Sequence, residues 1–315
     1  MGQNQIKKIS IAQKIDVIPF FLYSLIKVDN TRIAVGDDGG NISIFSFVNE
    51  RKKWKKDIHK KEAHKNACVY SLCNLINNRL LSSGGDDHFI KVWKLSNVDL
   101  TLIKGIQAHN DIVYKVIPLS NKRFASCSED KTVKIWKDND AYEQISELQH
   151  FGYVYSIIQL KGKEELVSSN YVHGENEPSG LTFWNLENYK KTRTINGHYA
   201  YFSTQMIELP NGNIALSSCV EPYPIVIIDS STYKVIKEIK LEGYITSHSS
   251  LSVLDEESFI YSYTGAFLQI SSRDYSILFR SNGGDFNGVN GIIPFKEERC
   301  CAIENSKYIT IVQFS

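Results

Sequence analysis

The amino-acid sequence predicts an all-β fold built from seven copies of one four-stranded unit. Three observations carry the prediction. A short apolar strand pattern recurs at near-constant spacing, a second pattern recurs upstream of it, and the chain can bury a large core. Self-similarity at a fixed period is the mark of repeat architectures. Hydrophobic residues make up 42% of the 315 residues and charged residues 23%, a balance that excludes intrinsic disorder.

The first pattern is seeded by VKIWK around Trp136 and IKVWK around Trp93, with LTFWN around Trp184 close behind. The same column falls on Phe45, Ile228, Ile270 and Val312, so successive units are 48, 43, 48, 44, 42 and 42 residues apart. Each match is a short alternating or apolar run, which reads as a strand. The second pattern is LYSLIKV at Leu22, VYSLCNL at Val69, VYKVIPL at Val113 and VYSIIQL at Val154, with weaker copies at Ser203, His248 and Val289. Between the two columns lies another strand, as in LLSSGG and RFASCS, and a more polar one follows, as in DLTLIKG. Asn77-Asn78 and Asn211-Gly212 supply turn residues.

With these residues in place, the chain resembles the WD40-repeat β-propeller family. The stretch Ala108 to Lys137 carries Ala-His at its start, S-x-S-x-D before the last inner strand, and Ile-Trp. Ala63 to Leu95 matches almost as well, the fourth unit keeps His150 and Trp184, the fifth keeps Gly197-His198, and the others keep the apolar skeleton. The resemblance implies one seven-bladed β-propeller over residues 1–315. Its blades are expected at about 14–62, 63–107, 108–148, 149–196, 197–242, 243–282 and 283–315. The last unit stops after three strands, and Ile6 to Gln13 offers a spare one. Residues 1–13 are therefore expected to close the last blade, which removes an open strand edge.

His109, Ser126, Asp130 and Trp136 have the composition of a catalytic triad, but their order is that of the family's structural hydrogen-bond network. His64, Ser83, Asp87 and Trp93 repeat it in the second unit. The first unit has Gly39 at the Asp position and no His. The six cysteines, Cys68, Cys73, Cys127, Cys219, Cys300 and Cys301, form no C-x-x-C pair and read as free thiols in a reducing compartment. Cys68 and Cys73 point to opposite faces of an extended strand, so no zinc site is expected with His64. No metal and no cofactor is expected. There is no G-x-x-x-x-G-K-[ST], and the sequon at Asn41 starts a strand.

Lys plus Arg is 36 against 35 acids, so no global field draws the chain to nucleic acid or membrane. No apolar run is long enough to span a bilayer, and the start MGQNQIKKIS lacks a secretory core and suits myristoylation poorly. A cytoplasmic place is expected. The densest charge cluster is Arg51, Lys52, Lys53, Lys55, Lys56, Lys60 and Lys61, read as an outer strand protected by lysines. Trp54 within it is a candidate exposed anchor.

The most informative constellation is Tyr23, Tyr70, Tyr114 and Tyr155, each directly after the first residue of its strand motif. In the family this position lies near the central channel and contacts partners. Asp38, Asp86 and Glu129 fall in a neighbouring column, with Glu175, Glu177 and Glu221 beyond them. Tyrosines beside carboxylates suit a cationic segment. The expected function is a non-enzymatic scaffold or adaptor that binds a Lys/Arg-bearing segment of another protein, with no nucleic acid or membrane partner. The alternative is a recognition or targeting subunit of a larger assembly, such as a ubiquitin ligase, a kinase or a cytoskeletal or ciliary complex. The W-D-x-R signature of one ligase class is absent, since the text reads WKLS, WKDN and WNLE. A propeller enzyme is disfavoured, because the mouth column of Tyr23, Tyr70, Tyr114, Tyr155, Thr204, Ser249 and Asn290 offers no base or metal set.

Overall fold

The computed structural model describes residues 6, 8–16, 21–48, 53–172, 179–197, 205–217, 225–241, 249–263, 266–281, 289–295, 299–304 and 308–314. Its regular elements are all strands. They fall into two compact units, residues 23–200 and residues 1–22 with 201–315.

The 23–200 unit holds four antiparallel four-stranded sheets, each laid out in chain order. The first sheet is β2 (Leu22–Lys27), β3 (Arg32–Asp37), β4 (Ile42–Val48) and β5 (Lys53–Lys60). The second is β6 (Val69–Leu75), β7 (Arg79–Gly84), β8 (Phe89–Leu95) and β9 (Leu100–Gln107). The third is β10 (Val113–Leu119), β11 (Arg123–Ser128), β12 (Thr132–Lys137) and β13 (Gln144–Gln149). The fourth is β14 (Tyr153–Gln159), β15 (Glu165–Tyr171), β16 (Gly180–Asn185) and β17 (Lys191–Asn196). Leading strands of successive sheets pack side by side, with β10 against both β6 and β14.

The core lies between sheets rather than within one. Strand side chains alternate in direction. Leu80 therefore joins Ile42, Ile44 and Trp93 between the first and second sheets, while its neighbour Leu81 joins Phe124 and Trp136 between the second and third. Ala125, Ile135, Leu166 and Trp184 fill the next layer. Each layer buries an aromatic from the Trp column, and truncating such a residue to Ala costs about 3–5 kcal/mol.

The other unit holds three four-stranded sheets. β18 (Met206–Glu208), β19 (Ile214–Ser217), β20 (Ile225–Ile228) and β21 (Val235–Ile239) form one. β22 (Ser249–Val253), β23 (Ser258–Tyr263), β24 (Ala266–Ser271) and β25 (Ile277–Arg280) form the next. The last runs β26 (Val289–Phe295), β27 (Arg299–Glu304), β28 (Tyr308–Phe314), and then β1 (Ile9–Asp16), which pairs antiparallel with β28. This N-terminal strand starts three residues later than Ile6. The reason is local. Ile6 is buried at 6% exposure against Ile260 and Phe267, and its N–H donates to Gln269 Oε1 at 2.7 Å. Residue 6 is thus anchored on the sixth sheet before the chain joins the seventh.

Two irregularities recur along the chain. In each outer strand one residue is skipped opposite the Trp column, so that Trp93 pairs with Leu102 while Val92 pairs with Lys104, leaving Ile103 as a bulge. Asp57, Ile145, Thr192, Ile236 and Leu278 are skipped at the same place. A bulge bends its strand and increases the twist.

The turn from third to fourth strand is the second. Tyr142, Tyr189, Tyr233 and Tyr275 all sit there with φ between 54 and 61°. Left-handed backbone is uncommon for a bulky residue. It is stabilised here because Tyr189, Tyr233 and Tyr275 N–H groups bond the carbonyls of Asn185, Asp229 and Ser271. Asn77, Asn78 and Gly212 also take positive φ, as turn residues should.

Trp54 is not an exposed anchor. It is 7% exposed and lies 5.5 Å from the Phe47 ring, because it occupies the inward face of β5. Cys73 and Cys127 are buried free thiols and Cys68 is half-buried. Burial pushes the Cys68 thiol up to about 11 and Cys127 to about 12. Arg51, Lys52, Glu175, Glu177, His198, Thr204, Cys219 and Glu221 lie outside the described residues.

Candidate functional site

In the third sheet, Trp136 Nε1 donates to Ser126 Oγ at 3.0 Å, and that hydroxyl lies 2.7 Å from His109 Nε2. His109 Nδ1 lies 2.9 Å from Asp130 Oδ2. Every polar atom is satisfied when the imidazole is neutral, with Nδ1–H donating to the carboxylate and Nε2 accepting from the serine. Burial drives the His109 pKa down, and the imidazole beside it holds Asp130 well below the usual carboxylate range despite burial.

The second sheet has the same chain with one change from the expected set. Ser82, not Ser83, accepts the hydrogen bond that Trp93 Nε1 donates and faces His64 Nε2, both at 2.7 Å. His64 Nδ1 meets Asp87 Oδ2 at 2.7 Å. The turn here is one residue longer than in the third sheet, so counting back from Asp87 reaches the wrong serine. Ser83 points to the opposite face, and its buried hydroxyl has no hydrogen-bond partner among the described residues.

The fourth sheet keeps Trp184, Ser168 and His150 but has no acid, and His150 Nδ1 instead faces the Leu148 carbonyl at 3.2 Å. Burial lowers this histidine to about 4. In the first sheet, Asp37 Oδ1 accepts from the N–H and side chain of Asn41, at 2.8 and 2.9 Å. All of these groups brace strands against turns. Among the described residues no three His, Cys, Asp or Glu side chains gather as a metal site.

The tyrosine column forms one contiguous array. Ring centroids are 5.2 Å apart for Tyr23 and Tyr70, 5.6 Å for Tyr70 and Tyr114, and 4.7 Å for Tyr114 and Tyr155. Edge-on and tilted contacts at these distances are favourable aromatic geometry. The local cause is a β-bulge. Val69 pairs with Gly84 and Ser71 with Ser83, so Tyr70 is skipped. Tyr114 and Tyr155 are skipped in the same way. A bulge re-aims its side chain off the regular face of the sheet, here along the row of leading strands. Gly85 is required beside Tyr70, since a Cβ there would stand 2.7 Å from the ring.

The carboxylates lie at the same end of the sheets. Tyr114 Oη donates to Glu129 Oε2 at 2.5 Å. Burial first, then Cys68 and the Asp38 charge, raises the Tyr23 pKa. Tyr70 is pushed up to about 12 by burial, with Asp86 and Glu129 adding to it. The phenols are therefore neutral in a negative local field. Exposure grades along the row, from 37% at Tyr23 to 8% at Tyr155.

Tyr155 backs the array rather than presenting its face. Tyr153 and Tyr171 extend it, each with its centroid 6.5 Å from Tyr155. Sequence reasoning missed both. The doublet Y-V-Y at 153–155 was the available signal. Of the remaining mouth column, the side chains of Ser249 and Asn290 lie outside the described residues.

Comparison with known proteins accords with this geometry. The family described as WD domain, G-beta repeat matches residues 55–94 and 100–137. Nuclear distribution protein nudF of Aspergillus flavus is 34% identical over 91 residues, which is 28% of this chain and 20% of that protein. DDB1- and CUL4-associated factor 13 of Dictyostelium discoideum is 27% identical over 163 residues, 49% of this chain and 34% of that protein. The matched regions thus span only 20% and 34% of those relatives' own length. The crystal structure of the WD40 β-propeller domain of Doa1 superposes with a TM-score of 0.78 and 14% identity, covering 97% of both chains. No helix among the described residues is long and apolar enough to cross a membrane. WD domain, G-beta repeats thus account for residues 55–94 and 100–137, and the β-propeller fold is shared with the Doa1 domain over nearly the whole length.

Proposed function

We propose that the bulge-mounted tyrosine row with Asp38, Asp86 and Glu129 is the docking surface of a non-enzymatic scaffold, and that it takes a Lys- or Arg-bearing segment of another protein. The observation that carries this is the contiguity of Tyr23, Tyr70 and Tyr114 beside Glu129, which joins the row through the Tyr114 hydroxyl. An aromatic face attracts a cation, a carboxylate pairs with it, and phosphate backbones are repelled. Each exposed cation–π contact contributes about 0.5–1 kcal/mol, so several act together. On this reading the seven sheets close into one seven-bladed ring over residues 1–315, a rigid platform with the row on its upper rim. Partial matches to longer proteins are compatible with service as a targeting subunit in a larger intracellular, cytoplasmic assembly.

The test is titration of fluorescent Lys/Arg-rich peptides against wild type and a Tyr114→Ala/Glu129→Lys variant. Binding to the variant should be weaker by roughly tenfold or more. Wild-type affinity should fall as salt rises, because rim charges are screened. Equal affinities, indifferent to salt, would overturn the proposal.

A further inference from the structure

The end of the 23–200 unit opposite the tyrosines repeats one inter-sheet latch, and its two copies differ. At the junction of third and fourth sheets, Arg123 reaches the Leu186 carbonyl at 2.6 Å and the Tyr189 hydroxyl at 3.3 Å. At the junction of second and third sheets, Arg79 reaches Asp138 at 2.6 and 3.0 Å and the Tyr142 hydroxyl at 3.0 Å. Backbone bonds fix the equivalence of the surrounding positions. Leu186 N–H donates to Glu164 O, and Asp138 N–H donates to Lys122 O. Lys122 therefore stands where Glu164 stands one sheet later.

That exchange decides which junction is closed. Glu164 accepts from Ser120 Oγ at 2.5 Å, from Asn121 Nδ2 at 3.2 Å and from Arg123, and so fills its junction with a polar bridge. At the other junction a lysine cannot bridge to an arginine, and Ile76 replaces Ser120. A cleft of about 380 Å³ is left there. Ile76 is 54% exposed and Ile103, the bulged residue of the outer strand, is 46% exposed. Both line the cleft with Lys122 and with Lys94, whose Nζ donates to the Asn77 carbonyl at 2.9 Å, and neither lysine has a carboxylate partner among the described residues. The carboxylates in the lining are Asp138, held by Arg79, and Asp140. The apolar patch continues onto Leu102 at 47% and Val98 at 84% exposure, along an edge strand whose one partner is β8. An exposed edge with adjacent apolar side chains favours an extended peptide.

We infer that this cleft is a second docking site, for an extended segment of a partner protein with one large apolar side chain flanked by Asp or Glu. The apolar side chain sits between Ile76 and Ile103. Its neighbouring carboxylate meets Lys122 and Lys94, supplying from outside the charge that Glu164 supplies from within at the next junction. This site lies away from the tyrosine row and has the opposite charge preference.

The test selects displayed random linear peptides on the full chain, with counter-selection on a Lys122→Glu variant. Lys122→Glu should close the cleft as Glu164 does and should leave the melting temperature unchanged or higher. The enriched peptides should share an apolar residue beside Asp or Glu. A synthetic copy should lose roughly tenfold or more in affinity on Lys122→Glu and on Ile103→Ser. It should keep its affinity on Tyr114→Ala/Glu129→Lys. Enrichment of no such peptide, equal binding to Lys122→Glu, or loss on the tyrosine-row variant would each overturn the inference.

Discussion

Three histidines of the 23–200 unit, His64, His109 and His150, show how one neighbouring residue sets a pH response. His64 and His109 each face an aspartate that partly offsets their burial, whereas His150 faces only a carbonyl. With its folded pKa at about 4 and an unfolded value of about 6.5, the unfolded state binds the His150 proton first as pH falls. Stability from this group is therefore complete above pH about 6.5 and is lost down to about 4, amounting to roughly 3 kcal/mol. Asp87 and Asp130 have lowered pKa values, so their contribution is present above the ordinary carboxylate value of about 3.8 and is lost only at lower pH. The two windows do not overlap. Urea unfolding across pH 4–7 should show a steep loss for wild type and a flatter profile for His150→Gln, even though that variant starts less stable. Identical slopes would mean His150 is not the group being protonated.

Strand elements carried most of what the sequence made legible, and turns carried most of what it hid. The Trp column was readable because β8, β12 and β16 repeat one short pattern of apolar residues that leads to a buried Trp. The N-terminal closing strand was readable because one unit lacked its fourth strand. The Ser82 position was hidden by a single extra turn residue, which leaves composition unchanged and shifts the count. Bulges at Tyr70, Tyr114 and Tyr155 have no compositional signature, so the tyrosine column could be aligned but its ring contacts could not. The turn tyrosines 142, 189, 233 and 275 did have a signal, a spacing of 47, 44 and 42 residues. It fell in turns, where strand periodicity is silent. At this scale the pairing of β1 with β28 gives a direct prediction. Deleting residues 1–16 removes seven paired residues along β28 and the buried Ile6, and leaves an unprotected edge. The truncated chain should melt lower and aggregate on heating. Light scattering during a thermal ramp reads both, and equal curves would mean β28 needs no partner.

For the molecule as a whole, a formal net charge of +1 leaves recognition to local patches. Three such patches differ in character: the acidic tyrosine row, the lysine-flanked apolar cleft, and the basic outer strand β5. The last of these has the composition of a polyanion site but not its geometry. Lys53, Lys55, Lys56 and Lys61 are exposed, yet Trp54 is turned inward onto Phe47 and cannot stack on a base. Lys55 also lies 3.9 Å from Asp57. What remains is counterion release from about four phosphates, with a salt slope of about −3.6 on logarithmic axes. That slope costs roughly a hundredfold in affinity between about 50 and 200 mM salt. Duplex DNA should therefore be retained weakly at the lower salt and released at the higher. Lys55→Glu/Lys56→Glu should abolish even the weak binding without touching the tyrosine row or the cleft. Fluorescence anisotropy with a labelled duplex at the two salt concentrations measures this. Retention at the higher salt, with a slope much shallower than that of four ion pairs, would show that β5 reads nucleic acid through contacts other than its lysines.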